Sequence, residues 1–173
     1  MDMSNRLIGM LGECFAKEWL TKKDWAYASS EQIFKGKNYE KIEFKLDAKR
    51  ILISIPEEFQ LEIEQICKPH RGIFTPYFDY DFLACKVASN QTRFLEDPRE
   101  DDFLWIEVKA GNSIPSRAQL KAKSKTSIPV KMCRVKGISN ITNDIFIEFS
   151  ELKEIPNLKE DFPNFDDVKW RDF

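Results

Sequence analysis

Phe103-Leu104-Trp105-Ile106-Glu107-Val108-Lys109-Ala110 reads as a β-strand that changes character part-way along. Successive side chains of a strand point to opposite faces. Leu104, Ile106 and Val108 therefore share a dry face, while Glu107 and Lys109 share the other. Gly111 and Asn112 break the pattern. Upstream, the apolar run Ile73 to Ala88 also reads as a strand and contains Tyr80-Asp81-Phe82-Leu83-Ala84. A long hairpin between the two would set Asp81 beside Glu107. Two carboxylates converging at a strand edge are hard oxygen donors suited to magnesium or manganese, and Lys109 lowers their mutual repulsion. Asp79 shares Asp81's face under strict alternation, so periodicity does not choose between them.

A Glu-x-Lys triplet alone is weak evidence, because the chain has three: Glu43 with Lys45, Glu107 with Lys109, and Glu151 with Lys153. Context separates them. The helix after Glu43 carries Glu57, Glu58, Glu62 and Glu64, which would repel a phosphate. Glu151 precedes an acidic, aromatic tail over residues 151–173. After Glu107, Pro115 can open a helix over Ser116 to Lys125 whose charges are all positive and which contains Gln119.

Further out, Leu7, Ile8, Leu11, Phe15 and Trp19 recur at helical spacing, which predicts an amphipathic helix over Ser4 to Lys23 with Ser4 as N-cap. Glu13 lies beside its apolar stripe. Lys17, one turn on, is the ordinary surface partner for that acid. Ile42 to Ile55 alternates around Asp47 to Arg50 and predicts a hairpin. Ser54 with Glu57 suggests a capping box that opens a short acidic helix to about Lys68. Pro129 to Val135 and Ile145 to Phe149 read as two more strands.

The 173 residues, 42% hydrophobic and 13% aromatic, suit one globular domain. The start shows neither a signal peptide nor an apolar run long enough to span a membrane. Cys14, Cys67, Cys85 and Cys133 include no C-x-x-C pair, which fits reduced thiols and a cytoplasmic location. His70 is the single histidine, so a site needing two is excluded. Net charge is only −2, but it is unevenly placed. Eight of the 27 basic residues fall between Lys109 and Asn143 with no acid among them, leaving 19 basic against 29 acidic residues elsewhere. Folded onto one face, that segment would form a phosphate-binding patch. Its candidate contacts are Arg117, Lys121, Lys123, Lys125 and Lys131.

The order of these features resembles the PD-(D/E)XK nuclease superfamily, nearest in pattern to archaeal Holliday-junction resolvase-type nucleases. The resemblance rests on Gly12-Glu13 in a helix, Asp81-Phe82-Leu83-Ala84, Ile106-Glu107-Val108-Lys109, a basic helix with Gln119, and an apolar strand. It covers residues 5–27 and 72–150. Tyr80 stands where proline names the motif, and 26 residues separate Asp81 from Glu107. The resemblance implies an α/β, restriction-endonuclease-like αβββαβ core: a mixed central sheet flanked by helices, with residues 29–71 as an inserted hairpin-helix segment within a single domain over 1–173. It implies a magnesium- or manganese-dependent endonuclease that hydrolyses DNA phosphodiester bonds, with DNA as partner and a homodimer as a common assembly. Asp81, Glu107 and the Val108 carbonyl would be metal ligands and Lys109 would orient the attacking water, with Glu13 and Gln119 as auxiliary groups. The alternative is a nuclease fold that has lost its metal and serves as a nucleic-acid-binding or protein-interaction module.

Overall fold

The computed structural model describes residues 5–138 and 145–153. Its frame is one mixed eight-stranded sheet, and helices cover both faces. The elements run α1 (Asn5–Lys22), β1 (Trp25–Ser29), α2 (Ser30–Gly36), β2 (Lys41–Leu46), β3 (Lys49–Ser54), α3 (Glu57–Ile66), β4 (Phe82–Lys86), β5 (Phe94–Leu95), β6 (Phe103–Ala110), α4 (Arg117–Ala122), β7 (Val130–Lys136) and β8 (Phe146–Glu151). Strand order across the sheet is β5-β3-β2-β1-β4-β6-β7-β8. Pairing is antiparallel except at β3–β5 and at β6–β7, where the connection through α4 returns the chain in the same direction.

One face is covered by α1, over Phe82, Ala84, Leu104, Ile106, Cys133 and Val135. The deepest line of α1 is Gly12, Ala16 and Leu20, whereas Leu7, from the predicted stripe, stays exposed. Small residues let the helix axis approach the sheet. A Cβ on Gly12 would stand 3.2 Å from the Ala110 Cβ, so bulk there would push α1 off β6. The predicted cap Ser4 lies outside the described residues. The opposite face holds the larger core, in which Phe59, Ile63 and Ile66 of α3 and Ala122 of α4 meet Ile53, Leu83 and Trp105.

The predicted hairpin forms with Ile42 opposite Ile53 and Phe44 opposite Ile51. Asp47 makes the turn in the left-handed region, at φ 55°, which aspartate tolerates better than most residues. Residues 29–71 are integral to the sheet, since β2 pairs with β1 and α3 covers one face. Two expectations are corrected. Ser54 does not cap α3: it stays in register with Lys41 at the end of β3, its hydroxyl donates to Glu96, and Pro56 holds the N-cap position with no side-chain bond. The run Ile73 to Ala88 is a strand only over Phe82–Lys86, because both of that strand's neighbours are used up by β1 and β6 and Pro76 has no N–H to donate. The stretch after Asp24, for which the sequence predicts no element, forms β1 and α2. Ala26 and Ala28 are fully buried in β1 but are too small to signal a strand, and α2 begins at a capping box between Ser29 and Gln32.

Candidate functional site

At Glu107 β6 leaves the core, and Val108 to Ala110 are only partly buried. The strand delivers an acid still inside the protein and a lysine at its edge. Glu107 is 3% exposed. Its Oε1 accepts hydrogen bonds from Lys109 Nζ at 2.7 Å and Gln119 Nε2 at 2.6 Å, and its Oε2 is buried with no hydrogen-bond partner. A buried carboxylate oxygen needs a donor, a proton or a cation to offset its desolvation.

Asp81 precedes β4 by one residue. Its N–H donates to the Ile106 carbonyl, and its Oδ2 accepts the Val108 N–H at 2.7 Å. The antiparallel β4–β6 register thus brings this acid to Glu107. Burial pushes the Glu107 carboxyl up to about 8, the Asp81 charge adds to the rise, and Lys109 and Gln119 oppose it. Burial also raises Asp81, against the Val108 N–H, Lys109, Glu107 and Lys17. Glu13 is raised first by burial and then by Asp81, with Lys17 opposing. Its ion pair is with Lys17, and its side chain is part-exposed. Burial thus holds both Asp81 and Glu107 toward the neutral form, and a cation beside the pair would favour the ionised form.

Gln119 is fixed from two sides. Its Oε1 accepts the Ser116 N–H at 2.9 Å as part of a capping box, and its backbone carbonyl accepts the Tyr80 hydroxyl at 3.0 Å. The cap that starts α4 also aims the amide at Glu107. Lys17 is the predicted partner of Glu13 one turn on. It lies 3.8 Å from that carboxylate and 5.1 Å from the Phe82 ring centroid, and its charge also acts on Asp81. The i,i+4 spacing gave no hint of this, because it fits a surface pair equally well.

Of Asp79 and Asp81, the structure brings Asp81 to the β6 strand beside Glu107. Asp79 turns the other way: Oδ1 is 2.8 Å from His70 Nε2 and Oδ2 is 3.9 Å from Lys125 Nζ. Neither residue is in a regular strand, so alternation does not hold across Tyr80. The competing Glu43 is exposed and pairs with Arg50 at 3.1 Å. Glu151 is also exposed, and pairs with Lys131 at 2.9 Å.

The basic segment is less unopposed than its sequence. The β7–β8 register sets Lys131 opposite Glu151, and Lys123 lies 3.7 Å from the same carboxylate and donates to the Leu152 carbonyl. Lys136 pairs with Glu148 at 3.2 Å. Arg134 is buried and donates to the Gly111 and Ser113 carbonyls at 2.7 and 2.9 Å, which fixes the loop after β6. Arg117 and Lys121, exposed on α4, have no ion pair among the described residues. A cleft of about 820 Å³ opens beside the site between α1 and the end of β6, and Lys109, Asn112, Ser113 and Lys136 are among its lining residues.

As a donor set for a cation, the described residues offer Asp81, Glu107 and the nearby backbone, and they include no group of three or more His, Cys, Asp or Glu side chains that could hold a metal. Two carboxylates do fit a magnesium-type ion, which keeps several waters and is commonly held by one or two carboxylates. Among the described residues no helix is long and apolar enough to cross a membrane. Compared with known proteins, the chain matches no family model, no curated protein and no solved structure.

Proposed function

We propose that this protein is a metal-dependent endonuclease that hydrolyses DNA phosphodiester bonds at Asp81, Glu107 and Lys109. The observation that carries the reading is the partnerless, buried Oε2 of Glu107 beside a second raised carboxyl, with a lysine on the same acid. Such a group is costly to keep unless something cationic completes it. The element order supports the reading as well: with α2, β2, β3, α3 and β5 set aside, α1, the antiparallel β1, β4 and β6, then α4 and the parallel β7 are compatible with an αβββαβ core.

A magnesium or manganese ion held by Asp81 and Glu107, with the Val108 carbonyl as a further ligand, would supply an activated water and balance charge on the leaving oxygen. The chain's own residues do the rest. The Val108 N–H fixes one oxygen of Asp81. Gln119 holds Glu107 Oε1 and leaves Oε2 available. Lys109, 2.7 Å from Glu107, can orient the attacking water and stabilise charge developing on the phosphate. Lys17 and Glu13 form an auxiliary pair on the α1 side, and Arg117 and Lys121 meet the flanking backbone.

The test is cleavage of supercoiled, linear and branched DNA with magnesium, manganese or EDTA. Cutting that needs the metal and disappears in Glu107→Ala is the expected result. Binding without cutting, unchanged by Glu107→Ala, would identify the inactive nucleic-acid-binding module instead.

A further inference from the structure

Between α3 and the site, residues 70–77 form a closed loop whose composition is opposite to that of most protruding loops. Its ends are locked: His70 and Tyr77 exchange backbone hydrogen bonds at 2.8 and 3.2 Å, and their rings stack at 5.0 Å. His70 Nε2 is anchored on the buried Asp79. Gly72 makes the bend possible, since a Cβ there would stand 1.9 Å from the Thr75 carbonyl oxygen. At the tip, Ile73 is 94% exposed and Phe74 95% exposed. A rigid base with a bare apolar tip is costly for a free surface and points to a ligand. A shallow, open pocket of about 240 Å³ lies on the loop, lined in part by Pro69, His70, Arg71, Phe74 and Pro76.

From Lys68 to Phe78 the chain has Lys68 and Arg71 and no acid, and Asp79 is turned inward. Lys125, from the basic segment, reaches the same Asp79. Phe74 is seven residues from Asp81, so the tip lies within about 25 Å of the carboxylate pair at full extension. Aromatic and proline walls with a cationic rim, a few residues along the chain from the proposed site, match the chemistry of a nucleobase with its phosphate.

We infer that this loop holds one unpaired nucleotide of the DNA, with the base stacked on Phe74 and the His70–Tyr77 pair and its phosphate at Arg71. The inference rests on the nucleic-acid reading above and deepens it, because it makes DNA with an unpaired or splayed base the preferred substrate over intact duplex.

The experiment is fluorescence-detected binding of a duplex and of the same duplex with one bulged 2-aminopurine, in calcium to suppress cutting, alongside manganese cleavage of both. Wild type should bind the bulged form about five- to a hundredfold tighter, the range that one aromatic stack supports, with the fluorophore quenched. Phe74→Ala, which removes no buried contact, should lose that preference while keeping duplex affinity within about twofold. Lys121→Glu should weaken both forms equally. Equal binding of the two DNAs by wild type, or a preference that survives Phe74→Ala, overturns the inference and leaves the apolar tip to a protein partner. The two readings fail separately: cutting without bulge preference sinks only the loop, and bulge preference without cutting sinks only the nuclease.

Discussion

Glu43-Phe44-Lys45 on β2 and Glu107-Val108-Lys109 on β6 are the same local pattern in the same sheet, with opposite outcomes. On β2 the strand's outer face meets solvent, so Glu43 is exposed and shares its charge with Arg50. On β6 the corresponding face is roofed by α4 and crossed by the chain before β4, so Glu107 is buried with one oxygen unmatched and a second acid at hand. A motif becomes a site through what the fold lays over it. Desolvation is the difference: it leaves a surface acid as it is and turns an enclosed pair into a demand for a cation.

The comparison is broken most severely by removing the acids. Asp81→Ala and Glu107→Ala should each lower cleavage by at least about a thousandfold, the loss expected when several kcal/mol of metal-borne charge stabilisation disappear. Glu43→Ala should stay within about twofold of wild type. Rates measured on one DNA at saturating manganese decide it, and equal losses at positions 43 and 107 would remove the distinction drawn between the two strands.

The next effect is thermodynamic. The folded-state carboxyl of Glu107 is raised to about 8 from an ordinary value near 4.5, so the native protein binds more protons than the unfolded chain between those values. Stability from this group is therefore full below about pH 4.5 and is lost as pH rises toward 8. Asp81 and Glu13 are raised too and act in the same direction. Without metal, Tm should fall by several degrees between pH 5 and pH 8, and Glu107→Gln should flatten that slope. Manganese should raise Tm more at pH 8 than at pH 5, because it binds the ionised pair. Glu43→Gln should leave the slope alone. A wild-type slope that Glu107→Gln does not change would mean that this carboxyl is ionised in the apo fold.

How far the sequence shows this follows from which residues carry a signal. β6, the β2–β3 hairpin, α1 and α4 announce themselves through apolar period, turn residues and caps, and Glu107 and Glu13 lie on two of those elements, whereas Asp81 lies just before β4. β1 is invisible because Ala26 and Ala28 occupy its buried positions. The strand before the site is overextended in the reading because Ile73 and Phe74 look like core residues, yet they are the most exposed large apolar residues described. Long-range facts are out of reach altogether. Nothing local says that the charge of Lys17 acts on Asp81, or that Glu148 and Glu151 of β8 neutralise lysines of β7.

A smaller perturbation reaches the site through its support. Gln119→Ala removes a hydrogen bond that lowers the Glu107 carboxyl and also breaks the capping box of α4. Loss of a cap costs about 1 kcal/mol. The carboxyl should rise further, so the pH at which manganese binding is half-complete should move upward, while cleavage at pH 8 falls about tenfold. Titration of manganese affinity against pH is the readout. A drop in Tm with an unmoved profile would leave Gln119 as a cap only.

The smallest effects belong to the basic segment and separate its charges from one another. Neutralising a lysine that contacts a phosphate changes the slope of log affinity against log salt by about 0.9 on duplex DNA. A lysine already matched by a carboxylate offers less, because its counterion is part of the protein. Lys131 and Lys123 both lie within reach of Glu151, whereas Arg117 and Lys121 are exposed on α4, the helix that presents Gln119 to Glu107. Arg117→Gln and Lys121→Gln should therefore each reduce the slope by close to one unit, equally for every DNA sequence, and Lys131→Gln by well under half of that. Glu151→Gln should act in the opposite sense and steepen the slope as it releases two lysines. Lys45→Gln, on the contrasting strand, should change nothing measurable. Binding isotherms in calcium across a salt series resolve the order. If Lys131→Gln flattens the slope as much as Lys121→Gln, DNA displaces Glu151 from its lysines, and the electropositive track extends from α4 across β7.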